Sequence, residues 1–118
     1  MAAGKHNFLC EQGATFNPTI TWKDEAGDPV SLLQYTGRMH VRSNYADSGV
    51  DIVISLTTEN GRMTLGGLNG TIVLYIDADD TDGLPSGTFK YDLELESSTG
   101  VVTRLLKGNF KIDPEVTR

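Results

Sequence analysis

Apolar and polar residues alternate along much of this sequence with a period of two residues. The clearest case is the stretch 89–96, where every second residue is aromatic or leucine and the residues between them are charged. Such alternation is typical of a β-strand that buries one face, because successive side chains point to opposite sides. No window of a dozen residues has the i, i+3, i+4, i+7 spacing of an amphipathic helix. The pattern therefore predicts an all-β protein.

The same alternation, interrupted by glycine, proline, asparagine and aspartate, predicts further strands. About seven or eight short strands result, and they favour two packed antiparallel sheets, because a single sheet would leave one apolar face in water. Asn60 and Gly61 stand between two apolar runs and predict a hairpin turn, and Gly108 predicts a bulge or bend. A loop is expected at 45–49 and a short helical turn at 77–85. The further strands are expected at 19–23, 36–42, 51–57, 62–65, 71–77, 101–106 and 109–113.

The inward-facing positions of these strands define the predicted core. In the strand 19–23, for example, Ile20 and Trp22 share one face and the polar residues share the other. The predicted core residues are Ile20, Trp22, Met39, Val41, Ile52, Ile54, Leu56, Ile72, Leu74, Ile76, Phe89, Tyr91, Leu93, Leu95, Phe110 and Ile112.

Length and composition limit this architecture to one domain. The chain has 118 residues, of which 38% are hydrophobic, and a domain of this size can form its own core without disulfides or a structural metal. A single β-sandwich is therefore expected over 1–118, with the polar segments 1–7 and 114–118 as flexible arms. The one cysteine, Cys10, allows no internal disulfide, and the adjacent Glu11 raises the pKa of a thiol, so a buried structural cysteine is expected.

The net charge of −6 argues against general nucleic-acid binding, because the phosphate backbone is recognised mainly by clustered lysine and arginine. A small basic stripe is expected where Arg38, His40 and Arg42 share the outer face of one strand. Pairing with acidic residues across neighbouring strands is the favoured interpretation, and contact with nucleic acid or an acidic partner is the alternative. No apolar run suits a signal peptide or a membrane helix, so we expect no membrane insertion and a protein made in the cytoplasm.

Four aspartates close together form the most tempting metal site. Calcium prefers oxygen ligands such as carboxylates. When a calcium-binding EF-hand loop is aligned from Asp77, however, its required glycine position is occupied by Asp82 and its final glutamate position by Thr88, so the motif does not match. Carboxylates that cap a helix are the favoured interpretation. No metal or cofactor is therefore expected, and the weak metal candidates are Asp77, Asp79, Asp80 and Asp82.

No arrangement of residues predicts catalysis. The two histidines, His6 and His40, are 34 positions apart, and no nucleophile motif such as G-x-S-x-G is present. The glycine-rich stretch 66–70 is not followed by the lysine and hydroxyl residues of a phosphate-binding loop. The sequence therefore predicts a protein that is not an enzyme.

Three stretches resemble small virion proteins of tailed bacteriophages and prophages. Residues 20–42 contain I-T-W-K-D, a G-x-P-V turn and Y-T-G-R-M-H-V-R, in the order found in that group. Residues 84–95 are similar to its L-P-x-G-x-Y-x-Y-D-L-x-L segment, with Phe89 where tyrosine is usual. The layout also resembles the immunoglobulin-like N-terminal module of phage baseplate upper proteins. The closing G-x-V-x-R-L-L-x-G and P-E-V-T-R stretches of the group are similar to residues 100–108 and 114–118.

This resemblance implies an immunoglobulin-like antiparallel β-sandwich with at most one short helical turn. It also implies a non-enzymatic virion structural protein, an adaptor or connector of the phage tail or baseplate that is assembled in the host cytoplasm. Its implied partners are other virion proteins of tail, baseplate or capsid, and further copies of itself in a symmetric ring. Head decoration of the capsid is the nearest alternative.

A carbohydrate- or calcium-binding module is the alternative from another class. Aromatic side chains would then stack against a sugar, and the loop Asp77–Asp82 would hold a metal ion. The aromatic candidates are Trp22, Tyr35, Tyr45 and Tyr75.

Overall fold

The strands of the protein form two layers. The computed structural model describes residues 4–42 and 52–115, and in them the chain forms nine strands, one α-helical turn and one 3₁₀ turn. The 3₁₀ turn is Gly67–Asn69, and the α-helical turn α1 is Ala78–Asp82, where the sequence predicts one. No helix among these residues is long and apolar enough to cross a membrane. The strands are β1 (Gly4–Lys5), β2 (Phe8–Glu11), β3 (Thr19–Thr21), β4 (Thr36–Arg42), β5 (Ile52–Thr57), β6 (Met63–Leu65), β7 (Thr71–Leu74), β8 (Gly87–Glu96) and β9 (Val102–Asp113).

The larger sheet contains six strands and the smaller sheet three. In the larger sheet, β1 and β2 both pair with β9, which is followed by β8, β4 and the edge strand β5. The smaller sheet has the order β3, β7, β6. The buried apolar residues of the two sheets form one core cluster. The predicted immunoglobulin-like β-sandwich is confirmed.

The first two strands depart from the antiparallel pattern. Both run parallel to β9, and β2 is in register with residues 110–113. Part of the predicted arm 1–7 is therefore β1, a member of the sheet. In the predicted arm 114–118, the backbone N of Glu115 donates a hydrogen bond to Gln12 Oε1 at 3.0 Å. The outermost residues of both arms, 1–3 and 116–118, and the predicted loop 45–49 lie outside the described residues.

The core lies between the sheets and contains most of the predicted core residues. Ile20, Trp22 and Phe89 are half-buried and pack against it. The core also contains Cys10, whose burial the sequence predicts, and the structure adds four buried residues that stand in loops or short strands, where alternation gives little signal: Phe8, Phe16, Leu32 and Met63. The predicted residues that are buried are Met39, Val41, Ile54, Leu56, Ile72, Leu74, Ile76, Tyr91, Leu93, Leu95, Phe110 and Ile112.

Ile52 is an exception, and its predicted place in the core is wrong. The pairing register shifts at this point, so that Val41 pairs with Ile54 but Arg42 pairs with Ile52. Paired residues of an antiparallel ladder share a face, and a bulge interrupts the two-residue alternation. Ile52 therefore lies on the side of Arg42, opposite the core, and is 39% exposed.

The turn at Asn60 and Gly61 does not form the predicted hairpin. β5 pairs with β4, whereas β6 pairs with β7 in the other sheet, so the chain crosses between the layers here. The crossing allows β6 to bury Met63, which outweighs the local preference for a hairpin. Asn60 instead covers the open edge of β5, because its Oδ1 accepts from Thr57 N at 3.0 Å and its Nδ2 donates to Ser55 O at 2.9 Å.

β9 continues through Gly108, whereas the sequence predicts two strands with a bend between them. The register shift lies instead at Leu105, which has no paired residue on β8. Glycine is required at position 108 for another reason. The carbonyl oxygen of His6 lies so close that a side chain at this position would overlap it.

Candidate functional site

The four aspartates predicted as weak metal candidates lie at the start of and within α1. Asp77 is the N-cap of this helix, and its Oδ1 accepts a hydrogen bond from Asp80 N at 2.9 Å. Asp80 also pairs with Arg62 at 3.1 Å, and Asp79 and Asp82 line a shallow hollow beside the helix. In residues 4–42 and 52–115, no three acidic, histidine or cysteine side chains are grouped as metal ligands.

Polar side chains close the end of the sandwich that carries α1, residues 11–17, 77–84 and 113–115, which we call the acidic end. Three of them donate hydrogen bonds to backbone carbonyl groups far away in sequence. Thr81 is the most constrained, because it is fully buried and its hydroxyl has no alternative in water. The three bonds join Gln12 Nε2 to Leu84 O at 2.7 Å, Asn17 Nδ2 to Leu74 O at 2.8 Å and Thr81 Oγ1 to Ala14 O at 2.8 Å.

The predicted basic stripe lies on the outer face of the larger sheet. Arg38 forms ion pairs with Glu94 at 2.9 Å and Glu96 at 3.2 Å, which confirms the predicted cross-strand pairing for this residue. Hydrogen bonds to these two carboxylates raise the pKa of Arg38. Arg42 Nη2 lies 3.3 Å from His40 Nδ1. The acidic partners of Arg38 leave little net positive charge there for nucleic acid.

The predicted aromatic platform is divided between two places. Trp22 and Tyr35 form an edge-to-face pair with ring centroids 6.3 Å apart, at the end of the sandwich opposite α1. Tyr75 is 43% exposed and lines a shallow hollow with Asp77 and Asp80. Tyr45 lies outside the described residues. Among the residues described, the structure therefore does not assemble one platform beside the aspartates.

Cys10 is fully buried in the core, as the sequence predicts. Burial, and secondarily the negative charge of Glu11, raises the pKa of its thiol to about 11. A thiol with this pKa is protonated at neutral pH, and the protonated form is a poor nucleophile. Cys10 therefore contributes to the packing of the core.

Two exposed leucines mark the opposite end of the sandwich, residues 29–35 and 66–70, which we call the uncharged end. Leu33 is 59% exposed and Leu68 is 69% exposed. The Leu33 side chain lies over Gly67, the residue that precedes Leu68 in the chain. Both segments belong to longer runs without any charged residue, 29–37 and 63–76.

Backbone hydrogen bonds hold the two segments of the uncharged end together. Trp22 N donates to Gly70 O at 2.8 Å, Leu32 N donates to Gly67 O at 2.8 Å, and Val30 N donates to Trp22 O at 2.9 Å. Gly70 adopts a left-handed φ of 68°, and a methyl group there would lie 2.7 Å from the Trp22 carbonyl oxygen. The exposed leucines are therefore positioned by the backbone beneath them.

The arrangement at the uncharged end can make apolar contacts and nothing more reactive. Singly exposed apolar residues are common on proteins, but neighbouring ones in an uncharged surrounding are typical of contact surfaces. Sequence alternation does not single out Leu33 or Leu68, because neither stands in a strand. The signal that could have found them is the run of 14 uncharged residues at 63–76 in a chain with 22% charged residues.

Comparison with known proteins assigns no family to the chain. No protein-family model and no curated protein matches the chain. A structure of the extracellular domains of the voltage-gated sodium channel beta4 subunit, described as parallel homodimers that explain its role in cell–cell adhesion, is 11% identical over 98% of this chain and 97% of its own, with a TM-score of 0.47. Tim-1 is 13% identical over 100% and 99%, with a TM-score of 0.41. Extracellular domains 3–5 of Drosophila OTK are 16% identical over 90% of this chain and 32% of their own, with a TM-score of 0.36.

The predicted relationship to tailed-bacteriophage virion proteins is wrong. No family model or curated protein supports it, and none of the solved structures named above is described as a phage protein. The predicted roles in a phage tail, baseplate or capsid are therefore wrong as well. The motifs behind the resemblance are strand and turn segments, which many immunoglobulin-like sandwiches need, so they indicate a fold and not a function.

Proposed function

We propose that the chain is a single-domain, non-enzymatic binding module that associates with a second copy of itself through the uncharged end. The observation that carries the proposal is the pair of adjacent exposed leucines, Leu33 and Leu68, on a support made of backbone hydrogen bonds. A two-fold arrangement would place the same two leucines of each copy against one another, because an isologous contact uses one patch twice.

Charge favours this surface over the others for self-association. Each copy carries a net charge of −6, so most approaches bring acidic groups together. The runs 29–37 and 63–76 contain none of these groups, and a contact through them keeps the acidic residues apart. Added salt screens the remaining repulsion and is therefore expected to strengthen the dimer.

The expected affinity is modest. Full burial of one leucine contributes about 1.5–3 kcal/mol, so four leucines in a dimer contribute on the order of 6–12 kcal/mol. Loss of translational and rotational freedom opposes association by at least about 4 kcal/mol. At most about 2–8 kcal/mol therefore remains, which corresponds to a dissociation constant of about a micromolar at the strongest and tens of millimolar at the weakest.

A non-enzymatic role is supported by the surroundings of the histidines. Among the described residues, neither His6 nor His40 has a side-chain hydrogen bond to a serine, threonine or cysteine that could act as a nucleophile. The buried thiol of Cys10 is protonated at neutral pH, as its raised pKa shows. Binding is therefore the activity that the described surface supports best.

Sedimentation equilibrium tests the proposal directly. We expect the average mass to rise with concentration between about 10 µM and 1 mM, and to rise further when salt increases from about 50 to 500 mM. The double variant Leu33→Ser, Leu68→Ser is expected to remain monomeric under the same conditions. Leu9→Ser is the matched control, because Leu9 is 54% exposed but lies on β2, away from the uncharged end.

Two results would overturn the proposal. One is a wild-type protein that stays monomeric throughout the concentration range. The other is an association that survives in the double leucine variant, or that Leu9→Ser abolishes instead. A dimer that weakens as salt increases would equally assign the contact to charged residues and not to the uncharged end.

A further inference from the structure

We propose that a hollow beside the N-terminal strands binds a phosphate or sulfate group. The hollow has a volume of about 390 Å³ and lies where β1 gives way to β2 against β9. This volume falls within the usual range for small-molecule sites, roughly 300–1,000 Å³. It is separate from the uncharged end. The residues that line it include Lys5, Asn7, Lys90, Lys107, Gly108 and Asn109.

Positive charge is concentrated at the hollow in an otherwise acidic protein. Three of the five lysines of the sequence line it, and no acidic residue is among its lining residues. The acidic residue opposite Lys107 on the neighbouring strand is Asp92, which lies 3.5 Å from Arg104. In residues 4–42 and 52–115, neither Lys5 nor Lys107 forms an ion pair.

The two asparagines add hydrogen-bond donors to this charge. Asn7 Oδ1 accepts from Asn109 N at 3.0 Å, and Asn109 Oδ1 accepts from Lys90 Nζ. Because each amide oxygen is engaged by a neighbouring donor, the NH₂ group of each amide is the end left for other contacts. The hollow is therefore lined by ammonium and amide donors, which suit the oxygen atoms of an anion.

The backbone determines the shape of the hollow. The chain leaves the parallel ladder at His6 and Asn7, and the Asn7 side chain takes the place of a backbone acceptor for β9. The hydroxyl of Tyr91, which is 1% exposed, donates to His6 O at 2.6 Å and holds this kink. Gly108 permits the close crossing, because any side chain there would overlap His6 O. The hydrogen-bond donors of the hollow are therefore held in position by a kink in the chain at His6 and Asn7.

Phosphate and sulfate present the same tetrahedral set of oxygen atoms, either as free ions or as esters of a larger molecule. NMR titrations of the ¹⁵N-labelled protein with inorganic phosphate, inorganic sulfate and glucose 6-phosphate, at constant ionic strength against chloride, distinguish these sources. We expect saturable shifts of the amide signals of residues 5–7 and 107–109. Stronger binding of glucose 6-phosphate than of inorganic phosphate would assign an ester, and the reverse order would assign the free ion.

Lysine variants make the test specific. Lys5→Gln and Lys107→Gln are each expected to weaken binding about fivefold, since each removes one charge-assisted hydrogen bond. Lys23→Gln is the matched control, because Lys23 is exposed in the hairpin after β3 and far from the hollow. Shifts that chloride reproduces, or binding that Lys5→Gln and Lys107→Gln leave unchanged, would overturn the proposal.

Discussion

The two ends of the sandwich are closed by different means. At the acidic end, the side chains of Gln12, Asn17 and Thr81 donate to backbone carbonyl groups of distant residues. At the uncharged end, the bonds that join the segment 22–32 to Gly67 and Gly70 run from backbone to backbone. Polar side chains thus add to backbone hydrogen bonds, such as Gln12 N to Asp113 O at 3.0 Å, at one end, whereas the other end relies on its backbone bonds and leaves Leu33 and Leu68 exposed.

This difference extends to the charged side chains of the acidic end. Asp77 caps α1 and Asp80 pairs with Arg62, so one oxygen atom of each carboxylate already has a partner. The side chains of Leu33 and Leu68 do not stabilise the fold in this way, because they are exposed and backbone hydrogen bonds hold their segments in place. Substitutions at the two ends should therefore have opposite consequences for stability and for binding.

The largest expected loss of stability comes from disrupting the backbone hydrogen bonds that close the uncharged end. Gly70→Ala should lower the free energy of unfolding by about 3 kcal/mol, because it adds left-handed strain and a close contact with Trp22 O. Gly27→Ala is the control, since Gly27 also has a positive φ but no atom within 4 Å of an added methyl group. It should cost about 1 kcal/mol. Urea denaturation measures both, and equal losses would refute the close contact.

The next largest loss of stability comes from removing a side-chain hydrogen bond that closes the acidic end. Thr81→Val keeps the shape of the side chain but leaves Ala14 O without its donor, and should cost about 2 kcal/mol. Thr81→Ser retains the hydroxyl and loses one methyl group, at about 1 kcal/mol. If thermal or urea unfolding finds the valine variant as stable as the serine variant, hydrogen bonding does not close this end.

A pH effect follows from Cys10, which is buried two residues before Gln12. Its folded pKa of about 11 exceeds the ordinary value of 9.0, so the unfolded chain loses the thiol proton first as pH rises. Stability attributable to this thiol is complete below pH 9 and declines towards pH 11, by about 1–2 kcal/mol between pH 8 and 10.5. The difference between wild type and Cys10→Ala, measured by urea denaturation across this range, isolates the effect. A constant difference would contradict it.

The smallest expected effect concerns the leucines of the proposed contact. Leu33→Ser and Leu68→Ser should each change the free energy of unfolding of the monomer by less than about 0.5 kcal/mol, because both side chains are largely exposed. Urea denaturation at low protein concentration provides the measurement. A loss above about 1.5 kcal/mol would show that these side chains support the fold and would remove the contrast between the two ends.

Much of the fold could be predicted from alternation, because a strand that buries one face must carry an apolar side chain at every second residue, and this pattern is visible in the local sequence. The stretch 89–96 is the best example, since every second residue faces the core or packs against it. The turn at Asn60 and Gly61 shows the limit. Its local preference favours a hairpin, but pairing of β6 with β7 and burial of Met63 determine where the chain goes.

The surface features could not be predicted in the same way. The basic hollow joins Lys5 and Asn7 to Lys107 and Asn109, and the register between these segments spans 102 positions of sequence. No local pattern reports such a pairing. The aspartates at 77–82 show the opposite case, because two members of this conspicuous cluster are engaged within the structure, Asp77 as the cap of a helix and Asp80 in the ion pair with Arg62.

The parallel pairing of β1 and β2 with β9 has a consequence for synthesis. Residues 4–11 leave the ribosome 102 positions ahead of their partners at 106–113. At a translation rate of about 5–20 residues per second, the N-terminal segment waits roughly 5–20 seconds for its place in the sheet. During that interval Phe8 and Cys10 lack the strand that later covers them, and a nascent-chain thiol is open to alkylation. Completion of this sheet therefore depends on the emergence of β9, and a pulse of alkylating agent during translation would time it.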